Sequence, residues 1–574
     1  MNILLFLGLA ASGASFYLED ATVRIGQVSV FTNYLELLVV LFVMAEIISN
    51  LAAARWKAVF IRKRMVSILT AVFVLLVLVL SKFINLSVIG QHAERDAVLL
   101  VVLRNLILLV LSLRRVKGLL DFLGYLRDHP AQTIILSFLM VIVSGAVLLM
   151  MPFTSRSGHG LSFVDALFTS TSAVCVTGLT VVDTVSAFSF SGQVVILLLI
   201  QIGGLGIMIL TFFTIFVVRR SVSVEDKLLI SYMLSEQDMT QLRAMVLRII
   251  SITFGIEAGG TALLFVGFSH VFGFSGKALF YAIFHSVSAF CNAGFALFSD
   301  SLEQFVGNPW ISGTIAVLII LGGLSFVVLI NLGHNLSDRL KNALRKQRGR
   351  VRKLTLNSKL VLTVSAFLVL GGTLLIYGTE HGNALKPYPL GTQYFAAFFQ
   401  SVTLRTAGFN SIPFGGLRNG TYLIMIAFMF IGGASGSTAG GIKVGTVGVI
   451  YAFLSSFFRN RKSAVLFQQS ISMGQVLRAF TILIFGLVVV GVATTILSLS
   501  EHQATLKILF EATSAFGTVG LSTGITSNLS VLGRLVISVL MFAGRIGPLT
   551  VLAAASQESR PGNIEFPAGE ISIG

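Results

Sequence analysis

Charge is scarce in this chain. Asp, Glu, Lys and Arg make up 11% of its 574 residues, where soluble domains carry about 25%. That shortage, with 55% hydrophobic residues and a mean hydropathy of +0.91, excludes a sizeable soluble domain. Cysteine is nearly missing: only Cys175 and Cys291 occur, so neither a disulfide framework nor a thiolate metal site is available. Both read as small buried apolar side chains packed behind loops. Acids are outnumbered 24 to 41 by Lys and Arg, for a net charge of +17. The basic residues cluster in loops between apolar runs, which is a membrane-orientation pattern and not a nucleic-acid footprint. There is no Walker A run and no G-x-G-x-x-G after a strand, so this chain has no recognisable means of hydrolysing ATP. No metal-ligand cluster and no nucleophile–base pair is present, which argues against an enzyme, and no cofactor is implied for this chain itself.

What the sequence does hold is an internal repeat. Four segments share one pattern: Phe168 to Gly178-Leu179, Phe284 to Gly294-Phe295, Phe398 to Gly408-Phe409 and Phe510 to Gly520-Leu521. Each has a Phe ten residues before a Gly, with a run rich in Ser, Thr and Ala between. The glycines are separated by 116, 114 and 112 residues, the regularity of a repeat architecture. Each segment lies between two bilayer-length apolar runs and is itself too short and too polar to cross. It reads as a half-helix entering the membrane and ending in a loop. Non-helical backbone survives at that depth only where protein buries it or water faces it.

The basic loops fix an orientation. Arg55 to Arg64 carries five basic residues and no acid, Arg114-Arg115-Val-Lys117 follows, then Arg219-Arg220. Arg339 to Lys359 holds nine Lys or Arg, and Arg459-Asn-Arg-Lys462 closes the series. All fall on one side, the cytoplasmic side of a multi-pass protein of the plasma (inner) membrane. The expected fold is all-α and polytopic: four membrane helix–pore half-helix–membrane helix repeats around a pseudo-fourfold pore, preceded by about four extra helices. Residues 1–117 form the N-terminal extension. Residues 118–574 form the pore domain, with repeats at about 131–220, 243–338, 358–462 and 476–556 and a short C-terminal tail. The first apolar run, Met1 to Leu18, lacks a basic leader and reads as a spanning or interfacial helix. Gly118–His129 reads as an inner-face connector. Ser162-x-x-Asp165 has the form of a capping box at the start of the first half-helix.

Three constellations bear on chemistry. The first is the set of loop triplets Val176-Thr177-Gly178, Asn292-Ala293-Gly294, Thr406-Ala407-Gly408 and Thr518-Val519-Gly520. The last resembles the T-V-G run whose carbonyl oxygens replace the hydration shell of K⁺ in channel filters. Four such loops around one axis make a ring of main-chain ligands for a monovalent cation, and half-helices ending there aim their negative ends at it. The second is Ile431 to Lys443, with Gly432, Gly433, Gly436, Ser437, Gly440 and Gly441. It lies inside the run Tyr422–Phe458, which is too long for one simple span and too glycine-rich there for a continuous helix. It reads as a break under the filter that gates the path, or else as a small-residue face for close helix packing. The third is Arg545, costly inside a span and therefore a functional candidate. It either holds the Gly-rich loop through its carbonyls, raises a barrier to cations, or snorkels to the inner surface. Arg405 stands where two other repeats have Cys and is expected to support its loop, with Glu511 as a candidate partner. His285 and Glu257 read as satisfied structural groups.

These features together resemble the Trk/Ktr/HKT superfamily of potassium transporters, and most of all the Ktr-type membrane subunit. The shared features are the four loop glycines, the Gly-rich interruption in the third repeat, the G-R-I-G-P run at Gly544–Pro548 and the ending Glu565 to Gly574. The resemblance covers about Gly118 to Gly574. It implies a channel-like K⁺ uptake subunit in the bilayer, a homodimer with one pore per protomer, and a cytosolic regulatory ring that supplies the only nucleotide site. It further implies that Gly178, Gly294, Gly408 and Gly520 are filter glycines, that Gly432–Gly441 is the gating loop, and that Arg545 faces it. Gly at position 178, where Na⁺-preferring relatives have Ser, points to K⁺. The N-terminal extension departs from the family pattern; with few arginines in its fourth run, it reads as a peripheral bundle and not a voltage sensor. The alternatives are a Na⁺-coupled or Na⁺-permeable symporter of the same superfamily, or a broken-helix secondary solute transporter. All four repeats share one orientation, whereas an inverted-repeat carrier would alternate.

Overall fold

Helices dominate because apolar runs in a lipid environment leave backbone groups no partner but their own chain. The computed structural model describes residues 130–218, 242–345, 351–461 and 463–547. The chain divides into two units, Met1–Asp128 and His129–Gly574, and all described residues belong to the second. The N-terminal extension, the connector Gly118–His129, Arg219-Arg220, Lys462, Pro548 and the C-terminal ending lie outside the described residues.

The helices fall into four sets. The first is α1 (Pro130–Leu149), α2 (Phe163–Val174) and α3 (Phe190–Val218). The second is α4 (Leu242–Phe272), α5 (Gly276–Phe290), α6 (Pro309–Gly323) and α7 (Phe326–Arg345). The third is α8 (Leu356–Glu380), α9 (Leu390–Thr403), α10 (Asn419–Phe430) and α11 (Val444–Phe458). The fourth is α12 (Met473–Ser500), α13 (Thr505–Gly517) and α14 (Val531–Ile546). The short helices α2, α5, α9 and α13 are the half-helix segments of the sequence. Ser162 caps α2, its hydroxyl accepting from the Asp165 N–H at 3.2 Å and donating to the Asp165 carboxylate at 2.8 Å.

Each short helix packs on the long helix before it in its set, and also on a helix that follows the short helix of the preceding set: α5 on α3, α9 on α6, α13 on α10, and α2 on α14. The α2–α14 contact joins the first set to the fourth and closes the cycle. It is reinforced at the rim by the Arg534–Asp165 ion pair. The ring-bearing Phe168, Phe284 and Phe510 are fully buried; in the third set the buried ring is Phe399, one residue after the repeat position.

A small device sets the depth of three short helices. Ser170, Ser286 and Ser401 donate to the carbonyls of Ile142 (2.6 Å), Glu257 (2.7 Å) and Val369 (2.7 Å). Gly145, Gly260 and Gly372, each three residues further along the long helix, face those hydroxyls, and a Cβ there would overlap them. Such a bond contributes about 1 kcal/mol net, and leaving the buried hydroxyl unpaired would cost more.

The closing helices are interrupted more often than the sequence suggests. The break expected in the third set is present, with residues 431–443 separating α10 from α11. But α3 also carries a non-helical Gly206 (φ 74°, ψ −174°). The α6–α7 pair is bent by 108°, and α14 ends at Gly547 with φ 88°. Among the described residues three helices are long and apolar enough to cross a membrane alone, within Leu247–Phe272, Leu356–Glu380 and Met473–Ser500; the bent pair counts as a fourth only if its two arms form one span. Shorter apolar helices are α2, α10, α11, most of α1 and the first part of α3.

One element departs from the all-helical expectation. Between α11 and α12 runs a two-stranded antiparallel hairpin, β1 (Ala464–Leu466) and β2 (Gln469–Ile471). Its two turn residues, Phe467 and Gln468, both have positive φ, the conformation that suits the twist of a tight hairpin.

Candidate functional site

Each short helix ends in a loop of the same backbone shape. Val176, Asn292, Thr406 and Thr518 have φ of 55°, 58°, 68° and 51°. Two residues later Gly178, Gly294, Gly408 and Gly520 have φ of 94°, 70°, 78° and 89°. Alternating left-handed and ordinary residues turn successive carbonyls to one side of the chain. The first position tolerates a side chain at a cost of about 1 kcal/mol. The second does not, for a steric reason that the ring supplies.

The four glycines meet. A Cβ on Gly178 would stand 2.5 Å from the Ala293 carbonyl oxygen, and one on Gly294 would stand 2.8 Å from the Ala407 oxygen. On Gly408 it would stand 2.5 Å from the Val519 oxygen, and on Gly520 it would overlap the Thr177 oxygen. Each glycine therefore abuts the carbonyl that precedes the next set's glycine, and the fourth abuts the first. Of the twelve residues expected at the ring, Thr177-Gly178, Ala293-Gly294, Ala407-Gly408 and Val519-Gly520 are brought to one centre, and Val176, Asn292, Thr406 and Thr518 form the positive-φ turns that lead into it. The buried hydroxyls of Thr177, Thr406 and Thr518 have no protein partner there. The Asn292 amide is satisfied with its nitrogen toward the carbonyls of Ile319 (3.2 Å) and Ala289 (3.0 Å).

Three layers hold the ring, and the sequence reading missed them. First, Ser172 and Ser514, six residues before their glycines, accept from the glycine N–H at 3.0 and 3.1 Å. Ser288 in the same register donates to Phe295 O at 2.7 Å; the third set has Val402 there. Second, Gly203, Gly322 and Gly544 on the closing helices press against the carbonyls of Val174, Phe290 and Phe516, where a Cβ would overlap. Third, a polar residue eight or nine positions before the glycine ties down the outgoing strand. His285 accepts from Leu297 N–H (3.2 Å) while its other ring nitrogen faces Tyr281 O (2.7 Å). Gln400 donates to Ser411 Oγ (3.3 Å). Glu511 accepts from Thr523 N–H (2.8 Å) and from the hydroxyls of Ser522 (2.7 Å), Thr523 (3.1 Å) and Thr526 (2.8 Å). The signal was available: His285, Gln400 and Glu511 are large polar side chains at nearly the same place in segments otherwise made of apolar residues and small Ser, Thr and Ala.

The Gly-rich segment lies against this ring. Its two ends pair through a parallel bridge, Ile431 with Ile442, and Gly432 N–H donates to Ile442 O at 2.8 Å. Ala434 N–H donates to Gly323 O at 3.0 Å. The Thr438 hydroxyl reaches Gly322 O at 2.9 Å and Phe290 O at 3.2 Å. Phe326 N–H donates to Gly436 O at 3.2 Å. Gly440 faces the Thr518 side chain and Gly441 faces Gly517. Ser437 turns back to Ala434 O at 2.7 Å, and Gly433 packs on Ala439. The buried Arg545 guanidinium donates to Thr438 O on one side and to Gly203 O on the other, so it bridges this segment to α3.

Arg405 does not meet Glu511. Glu511 is saturated by its own loop, and Arg405 Nε and Nη2 have no partner; the guanidinium lies beside Gly323, 4.0 Å from where a Cβ would stand. Glu257 is not alone: Gln201 donates to it at 3.1 Å, and Cys291 Sγ lies at 3.8 Å. Cys175 and Cys291 are free and fully buried.

Residues 116–564 match the family described as TrkH, cation transport protein. The chain is 37% identical over 452 residues to the Ktr system potassium uptake protein B of Bacillus subtilis, covering 78% of this chain and 98% of that protein. It is 37% identical over 455 residues to the potassium/sodium uptake protein NtpJ of Enterococcus hirae, with coverage of 78% and 98%. It is 39% identical over 443 residues to the Ktr system potassium uptake protein B of Vibrio alginolyticus, with coverage of 77% and 94%. The crystal structure of the potassium transporter TrkH from Vibrio parahaemolyticus shares the fold, with a TM-score of 0.60 at 17% identity over 86% of this chain and 97% of that one. Matched over most of its length by that family and by close-to-full-length relatives, the chain belongs to the TrkH family of membrane-embedded cation transport proteins.

Proposed function

We propose that this chain is a channel-like K⁺ uptake subunit. Potassium sheds its water at the ring of loop carbonyls, crosses toward the Gly-rich segment, and passes when that segment moves. The observation that carries the reading is the closed succession of glycine-to-carbonyl contacts, Gly178 to Ala293, Gly294 to Ala407, Gly408 to Val519 and Gly520 to Thr177. The atoms pressed against those glycines are main-chain oxygens, and such hard, neutral oxygen ligands suit a large monovalent cation. The four short helices end there, which adds negative potential. Relatives named as potassium uptake proteins support the same ion. Residues 432–441 act as the gate because they lie against the ring, and Arg545 is the tether that holds them to α3. The four sets around that centre are the repeats of a pseudo-fourfold pore, with the basic loops on the cytoplasmic face of the inner membrane. Relatives described as parts of a Ktr system support a separate regulatory subunit. We assign to it the nucleotide-binding ring, and to this chain the homodimer.

A second reading, Na⁺-coupled or Na⁺-permeable transport through the same ring, is favoured by one relative's description as a potassium/sodium uptake protein. The test is growth of a K⁺-uptake-deficient bacterium at low K⁺, with Na⁺ and Rb⁺ competition, with and without a regulatory subunit. Rescue that Rb⁺ inhibits supports K⁺ uptake. Uptake of K⁺ that requires Na⁺ in fixed proportion selects the coupled reading. No rescue, with uptake of an organic solute, overturns both.

A further inference from the structure

Helix α7 begins with Phe326 and Val328 buried in the core, but from Asn331 onward it is amphipathic in an unusual sense: a polar edge faces its own chain and an apolar edge faces away. On the inner edge, Asn335 donates to Arg352 O at 2.5 Å and Asn331 accepts from Thr355 N–H at 3.2 Å. Asp338 accepts from Arg352 N–H at 3.2 Å and pairs with its Nε at 3.6 Å. Opposite, Leu336, Leu340 and Leu344 are 55%, 61% and 75% exposed. Spaced four residues apart, they form one stripe along the helix. Exposed Arg339 and Lys341 flank that stripe, and the chain runs on through Arg345, Lys346, Arg348 and Arg350. Water is a poor partner for three large exposed leucines in line. The 108° bend from α6 decides what the better partner is. If α6 runs across the bilayer, α7 lies close to the bilayer plane. A basic helix with a leucine stripe lying in that plane is suited to the boundary between headgroups and acyl chains.

We propose that α7 is an interfacial helix whose Leu336, Leu340 and Leu344 sit in the inner leaflet and whose flanking Arg339 and Lys341 bind anionic lipid headgroups. The proposal rests on the membrane orientation given under Proposed function. It has a consequence for the gate. The first residue of α7, Phe326, donates its N–H to Gly436 O at 3.2 Å, so lipid that holds α7 in place also holds one side of the Gly-rich segment.

The test uses the full-length protein with Leu340→Cys or Leu344→Cys carrying a nitroxide; Cys175 and Cys291 are buried and do not compete for label. The protein is placed in vesicles of phosphatidylcholine with or without phosphatidylglycerol. Collision with oxygen is compared with collision with a water-soluble nickel chelate, and K⁺ flux is measured in the same vesicles. The expected result is a label reached by oxygen and shielded from nickel with phosphatidylglycerol present, and several-fold more nickel contact in Arg339→Gln with Lys341→Gln. Nickel contact at both sites in the anionic vesicles overturns the proposal. So does shielding from both reagents, which means that a second copy or another protein segment covers the stripe. Equal depth in both vesicle types overturns the headgroup part. A water-exposed label with normal K⁺ flux defeats this inference alone; a lipid-embedded label without K⁺ flux defeats the transport reading alone.

Discussion

Replacing Arg545 separates a tether from an electrostatic barrier. The guanidinium bonds two carbonyls, Thr438 O on the Gly-rich segment and Gly203 O on α3. A hydrogen bond to a charged donor contributes roughly 1.5–3 kcal/mol net. In Arg545→Gln both charge-assisted bonds go, and the amide restores at most one neutral bond. Only the Thr438 bond holds the segment itself, so its loss frees the segment by roughly 1.5–3 kcal/mol, about 10- to 150-fold in its bound-to-released ratio at 1.4 kcal/mol per tenfold. The gain in flux will be smaller wherever the fully open conductance sets a ceiling. Arg545→Lys is the deciding partner variant. Lysine keeps the charge but offers a point donor in place of a planar fork. A tether predicts raised flux in both variants, larger in Gln. A barrier predicts raised flux in Gln and wild-type flux in Lys. The assay is K⁺ flux into proteoliposomes containing equal amounts of folded, purified protein. Flux unchanged or lowered in Arg545→Gln, with the protein still folded, would refute the reasoning. Thr438→Val gives an independent check. It removes the hydroxyl bond shared between Gly322 O and Phe290 O, about 1 kcal/mol, and should raise flux about fivefold.

Other substitutions test the ring and its supports. Gly178→Ser places a side chain 2.5 Å from the Ala293 oxygen at φ 94°; discrimination against Na⁺ should weaken, and an unchanged K⁺/Na⁺ uptake ratio would mean that this loop does not line the path. Glu511→Gln presents an amide nitrogen to hydroxyl and N–H donors; removing one buried acceptor costs roughly 1–3 kcal/mol, so Rb⁺/Na⁺ selectivity should fall at normal protein levels, and intact selectivity would count against the anchor. Burial, and Asp300 beside it, push the Glu303 carboxyl above its ordinary range, while its bond from Asn410 opposes this. The folded protein then binds the proton more tightly than the unfolded chain, so stability falls as pH rises from the ordinary carboxylate range through the raised value. Glu303→Gln should flatten that slope in melting temperature against pH; a parallel slope in the variant would show that other groups cause it.

The parts of the site that could be read from sequence were those fixed by local constraints. A glycine that must take positive φ leaves its mark wherever it recurs, and four at nearly equal spacing announced four equivalent loops. The Gly432–Gly441 break was readable for the same reason, as was the capping serine at Ser162. Partnerships across the cycle were not readable. Arg405 was matched with Glu511, yet Glu511 is consumed by residues 522–526 of its own loop. Gln201 and Glu257 stand 56 residues apart, and nothing local pairs them. The kink at Gly206 and the bend after Gly323 also escaped. A single glycine or two in an apolar run fits a continuous helix as well as a broken one.

Composition and period by themselves determined the membrane class, the number of loops and which glycine in each matters, because burial in lipid and positive φ are constraints on single segments. That Gly520 comes back to Thr177, that Arg545 lies between Thr438 and Gly203, and that the leucines of α7 face outward were decided only in three dimensions. Those facts depend on which long-range surfaces meet, and no chain segment carries that information alone.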